Sequence, residues 1–182
     1  MFYLEEVHKE FYCARCRQNI NIKNVVLRAS SLPKSEFSEK VEKFLTPWLM
    51  KTNLKDKIVV RLLADNLDVY DKLPEFAKMT NSVSYPFQHH NIFVFYELEG
   101  KDACIFNVQF QLHGSNSDTS NKNCAYLSFI DSVCLIEYSK TRSMLYKNIL
   151  LCCFQFFKMK GYEKVYLWSC PPKKGRDYIF VS

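Results

Sequence analysis

Residues 124–169 constrain the fold more than any other stretch, because two strand patterns enclose a long helical pattern with almost no chain between them. Cys124 to Ile136 reads as a strand, Ser139 to Lys160 as a helix, and Glu163 to Ser169 as a second strand that Pro171-Pro172 ends. In the helical segment Leu145, Ile149, Cys152, Phe156 and Met159 form one seam. Leu150, Leu151, Cys153, Phe154 and Phe157 widen it, so the helix is expected to be buried on several sides, with Cys152 and Cys153 as core thiols. Ser139 or Thr141 can cap its start, Lys158 and Lys160 suit the negative end of its dipole, and Gly161 stands where a helix-ending glycine belongs. Such a strand–helix–strand unit needs parallel strands and sets the helix start at the carboxyl end of the first strand.

Upstream, residues 31–50 read as an amphipathic helix with Phe37, Val41, Phe44, Leu45, Trp48 and Leu49 on one stripe. Ser31 or Ser35 can cap it, Pro33 is tolerable in its first turn, and Pro47 is expected to end or kink it. Strand signals follow at Ile58–Leu63, broken by Asp65-Asn66, and then at Asn91–Leu98 and Ala103–Leu112 around the turn Glu99-Gly100-Lys101-Asp102. His113 to Asn121 is a polar loop. The fold class is therefore mixed α/β (α+β): a central, mostly antiparallel sheet with flanking helices, and the long helix packed across it.

Composition removes several function classes. The chain has only four glycines in 182 residues, so neither a Walker-type phosphate loop nor a dinucleotide fingerprint can be written. The net charge of +6 lies in the last third, where residues 122–182 carry 10 Lys and Arg against 4 Asp and Glu. That excess suits a polyanion such as a phosphorylated cofactor or nucleic acid, or simply a solvated basic face. A nucleic-acid module has the charge but no recognition helix, zinc-finger set or RNP-type motif to use it. Eight cysteines without a signal peptide are expected to be reduced, intracellular thiols, and the apolar run around Ile149–Phe157 is too short to span a bilayer.

Chemistry concentrates at the junction of the last strand–helix–strand unit. A helix start carries unpaired N–H groups and about half a positive charge, and Arg142 adds a planar guanidinium to the same turn. This is the best phosphate site in the sequence, although Arg142 could equally pair with a surface carboxylate. Asp131-Ser132, at the end of the preceding strand, can hydrogen-bond an amide-bearing arm such as pantetheine. Trp168, at the end of the closing strand, falls at the same edge, where it could wall a tunnel or fill core. Near the N-terminus Cys13 and Cys16 make one C-x-x-C: half of a zinc site, or two ordinary thiols.

The order of these parts resembles a family. Tyr126-Leu127-Ser128-Phe129-Ile130-Asp131-Ser132-Val133, Thr141-Arg142-Ser143-Met144-Leu145-Tyr146 and Trp168-Ser169-Cys170-Pro171-Pro172 are similar to motifs of the CREB-binding-protein type of histone acetyltransferase. Asp177-Tyr178-Ile179-Phe180 follows in the same order, and Leu32-Pro33, Glu97-Leu98-Glu99-Gly100 and Gly114-Ser115 extend the likeness upstream. The resemblance implies a lysine acetyltransferase that uses acetyl-coenzyme A and acts on histone tails or other lysine-bearing proteins. It implies transcription-factor partners, a nuclear location, and neither membrane nor direct nucleic-acid binding.

By the same resemblance Asp131 and Ser132 contact pantetheine, Arg142 and Ser143 the phosphates, Ser128 and Phe129 the substrate, and Trp168 the lysine tunnel. The segment from Cys170 to Asp177 begins the loop that covers the cofactor. Residues 1–30 correspond to the remnant of a PHD-type zinc finger and linker, with Cys13 and Cys16 as the closing ligands of an incomplete zinc site. Residues 31–182 correspond to the N-terminal portion of the acetyltransferase domain. Phe129 replaces a tyrosine of the family and Ser143 a threonine. The family's general-acid tyrosine belongs to a Trp-Tyr pair expected downstream of Ser182, a role that Tyr178 does not take. The 182-residue chain is accordingly expected to transfer acetyl no faster than background. The alternative is a catalytically inactive, truncated paralogue that binds coenzyme A or transcription partners.

Overall fold

A computed structural model of the chain describes residues 28–71, 84–117, 120–167 and 179. A 3-10 turn at Ala29–Ser31 leads into helix α1, Glu36–Leu49. Four strands follow: β1 (Ile58–Asp71), β2 (Ser84–Leu98), β3 (Lys101–His113) and β4 (Cys124–Ser132). Helix α2 (Ser139–Met159) and strand β5 (Lys164–Leu167) complete the order. The strands form one five-stranded sheet in sequence order. β1 to β4 pair antiparallel, and β5 pairs parallel to β4.

The expected fold class is borne out, because the βαβ unit ends an otherwise antiparallel meander. Both helices lie on one face of this sheet. Phe37, Val41 and Leu45 of α1 and Leu145, Ile149, Cys153 and Phe157 of α2 share a single core with Val60, Ile92, Val94, Val108, Phe110 and Leu127. The sheet residues are alternate positions along their strands, as period-two geometry requires. Rings knit the layers, with Phe157 against both Phe37 and Phe110, and Phe106 stacked on Tyr146 at 4.7 Å.

Several boundaries differ from the sequence expectation. Asp65-Asn66 does not end β1. The strand absorbs a register shift between Leu62 and Ala64 and runs on to Asp71, held by its neighbour β2. The hairpin turn is just Glu99-Gly100, both with positive φ (49° and 74°), which matches the right-handed strand twist. α1 begins only at Glu36, because Ser35 is the cap and accepts from the Ser38 N–H at 3.2 Å. Ser31 and Pro33 lie outside the helix, and Pro47 sits within its last turn. β4 stops at Ser132, so residues 133–138 are a connector and not strand.

α2 starts without the expected cap. Tyr138 occupies the cap position with an extended backbone and no side-chain bond, while Ser139 and Thr141 are already helical. The helix is also less enclosed than its composition suggests: Leu151 and Met159 are exposed, while Cys152 and Cys153 are core thiols as expected. Gly161 ends it at φ 89°, in the left-handed region that glycine enters without a Cβ clash.

Candidate functional site

The parallel β4–β5 pair fixes where the candidate residues gather. β4 delivers Asp131 and Ser132 at its carboxyl end, and after a connector of residues 133–138 α2 opens with Arg142 and Ser143 in and just past its first turn. The two groups of expected cofactor contacts are thus joined by a short connector. Asp131 faces Asn107 of β3 across the ladder and is almost wholly buried, whereas Ser132 and Ser143 are exposed. Arg142 donates from Nη1 to the Ile136 carbonyl (3.0 Å), which holds its guanidinium over the connector. A guanidinium has five N–H donors, so this bond leaves capacity for a ligand. The Arg142 backbone N–H is taken by the Tyr138 carbonyl (2.9 Å). The α2 N–H groups before it are the ordinary unpaired donors of a helix start.

Two contacts hold this edge in shape. Val133 N–H donates to the Ile105 carbonyl (3.1 Å), so the β3–β4 pairing continues past the last strand residue. Tyr146, one helical turn after Arg142, directs its hydroxyl to the carbonyls of both Ile105 (3.1 Å) and Val133 (2.9 Å). α2 is therefore fastened to the end of the β4 strand directly below the candidate site. Asn107 is fully buried and donates to Asn91 Oδ1 (2.7 Å) and the Ile92 carbonyl (2.9 Å), which satisfies the polar layer beside Asp131. Sequence reading did not find Asn107. Its signal was the polar residue set among Ile105, Phe106 and Val108.

The remaining candidates divide. Ser128 is the extra residue of a register shift in which Gln109 faces Phe129 and Phe110 faces Leu127, and its hydroxyl donates to the Gln109 carbonyl (3.3 Å). The bulge leaves Phe129 38% exposed. Trp168, Cys13 and Cys16 lie outside the described residues, as do Cys170 to Tyr178 and residues 1–27 of the proposed finger remnant. Among the described residues no group of three or more His, Cys, Asp or Glu could hold a metal, and no helix is long and apolar enough to cross a membrane.

A second titratable cluster sits at the far end of α2, about 30 Å along a helix of this length. There a cleft of about 410 Å³ is lined by Asp65, Gln88, His90, Lys160 and Tyr162 over an aromatic floor. His90 Nε2 meets Asp65 Oδ1 at 3.1 Å, while its Nδ1 is buried without a partner. Burial holds the imidazole below its ordinary pKa despite the opposing pull of Asp65. Nothing in the sequence marked this pair, because its members lie on different strands.

An exposed serine at a strand end, an arginine at the following helix start and a parallel closing strand come together in one α/β domain. Comparison with known proteins gives the family: the model of the histone acetyltransferase domain KAT3 matches residues 45–182, and the chain belongs to that family. It is 29% identical over 182 residues to the probable histone acetyltransferase HAC-like 2 of Oryza sativa subsp. japonica, covering 86% of this chain and 13% of that protein. Protein cbp-1 of Caenorhabditis elegans is 29% identical over 165 residues, 84% of this chain and 8% of its own length. Histone acetyltransferase HAC12 of Arabidopsis thaliana is 26% identical over 187 residues, 87% and 11% respectively. The chain thus spans only about a tenth of the length of these relatives.

Proposed function

We propose that this chain is the coenzyme-binding part of a protein-lysine acetyltransferase that takes acetyl from acetyl-coenzyme A and delivers it to histone tails or similar lysine-bearing proteins. The observation that carries the reading is the joining of Ser132 and Arg142 at one sheet edge, in a chain whose family match runs through both. In this reading Ser132 hydrogen-bonds the pantetheine amides, with the Asp131 backbone beside it. Arg142, Ser143 and the first α2 N–H groups receive the phosphates. Phe129 borders the lysine substrate, and the Ser128 hydroxyl supports it by closing the bulge beneath. Trp168 forms the tunnel wall. Acetyl-coenzyme A supplies an activated thioester, and the lysine amine attacks it directly.

The relatives' names support a role in chromatin and transcription, with transcription factors as partners and the nucleus as the location. Residues 31–182 are read as one portion of the acetyltransferase domain, and 1–30 as the end of a zinc finger with Cys13 and Cys16 as its last ligands. Calorimetry with coenzyme A tests the cofactor reading. Arg142→Ala should weaken binding by about 1–3 kcal/mol, the range for charge-assisted hydrogen bonds. Equal affinity for the wild type and the variant would remove Arg142 from the site.

A further inference from the structure

We propose that Cys104 and Cys134 form a redox-active dithiol, closing to a disulfide in exchange with a low-molecular-weight disulfide such as oxidised glutathione. The inference rests on register and needs no ligand at the coenzyme site. β3 and β4 pair Asn107 with Asp131 and Phe106 with Ser132. The Val133 N–H to Ile105 carbonyl bond carries the ladder one step on, and the Tyr146 hydroxyl, reaching both the Ile105 and Val133 carbonyls, pins that step in place. One further step sets Cys104 opposite Cys134.

Directly opposed residues on antiparallel strands have Cα atoms about 4.5–5.5 Å apart, inside the roughly 4.4–6.8 Å span of a disulfide. Ile105 is the extra residue of a register shift against β2, so it and Phe106 both pack against the core with Val133, and Cys104 is the next β3 residue to pair with β2. Cys104 pairs with Phe95 and lies within reach of the Asp131 charge, and Cys134 is exposed. Cys124, Cys152 and Cys153 are buried and are not part of this pair.

The roles of the two thiols follow from access. The exposed Cys134 thiolate attacks one sulfur of glutathione disulfide. That S–S bond breaks, one glutathione leaves as thiolate and takes a proton from water, and Cys134 carries the other. Cys104 then loses its proton to solvent and attacks the Cys134 sulfur, displacing the second glutathione. Two protein thiols have lost two electrons and two protons, and one glutathione disulfide has become two glutathiones. Burial, with Asp131 adding to it, pushes the Cys104 thiol up to about 11, which makes closure the slow step and speeds it as pH rises. The bond forms two residues past Ser132 and ties the connector that leads to Arg142 back onto β3.

The test treats the full 182-residue chain with oxidised glutathione, blocks residual thiols with maleimide and maps the peptides by mass spectrometry. Trypsin leaves Cys124 and Cys134 on one peptide, so an aspartate-directed protease that cuts at Asp131 is used with it. The expected product joins Cys104 to Cys134 in most molecules and is released by dithiothreitol. Cys104→Ser should trap glutathione on Cys134, and Cys134→Ser should leave Cys104 unmodified. Glutathione persisting on wild-type Cys134 without a cross-link, a bond to another cysteine, or two unmodified thiols would each overturn the proposal.

Discussion

Tyr146 shows how one side chain can set a site that it does not enter. Its ring stacks on Phe106 and its hydroxyl bridges the Ile105 and Val133 carbonyls, so it anchors α2, the end of β3 and the start of the connector at one point. Tyr146→Phe keeps the ring and removes the bridge. It should lower stability by about 1–2 kcal/mol, since part-buried carbonyls lose a donor. Denaturant midpoints measure this, and a change within experimental error would show that water replaces the hydroxyl. If the hydroxyl also positions Arg142 through the connector, coenzyme A affinity should fall in the same variant. The Arg142–Ile136 contact was invisible in the sequence, where Arg142 could be assigned only to a helix turn.

At the scale of elements, α2 joins a strongly apolar face to a weak start. A Ser, Asp or Asn at the cap position normally accepts from the first-turn N–H groups, and Tyr138 cannot. Tyr138 already has the extended backbone that a cap requires, and its side chain is exposed. Tyr138→Ser should therefore stabilise the chain by about 1 kcal/mol, read as a higher denaturant midpoint. Tyr138→Asp should stabilise it similarly but weaken coenzyme A binding, because its carboxylate competes with the phosphates for the same N–H groups. A Tyr138→Asp chain that binds coenzyme A as well as the Ser variant would argue against phosphates at this helix start.

Across the whole molecule, the most consequential electrostatic feature lies away from the candidate site. His90 is packed between Phe37 and Phe157, and burial lowers its pKa from the ordinary value of 6.5; His113 is lowered for the same reason. The unfolded chain therefore binds more protons than the fold in this window. Stability is complete above the ordinary histidine value and falls as pH drops below it, towards the depressed value in the fold. Urea midpoints measured from neutral to mildly acidic pH should show this decline, and His90→Leu should flatten much of it. A midpoint that rises on acidification would contradict the burial argument.

The sequence alone determined the pattern of the C-terminal half. An apolar helix of about six turns between two short strand runs, ended by Gly161, has few ways to bury itself other than as a parallel crossover. The family motifs could be read because they are contiguous runs at a strand end and a helix start. Local sequence did not determine β1 past Asp65, because cross-strand partners in β2 outweigh the polar residues there. Nor did it reveal the Ser128 bulge, the buried Asn107 or the His90–Asp65 pair. Each depends on residues tens of positions apart meeting across a ladder, and only the tertiary structure fixes which of them meet.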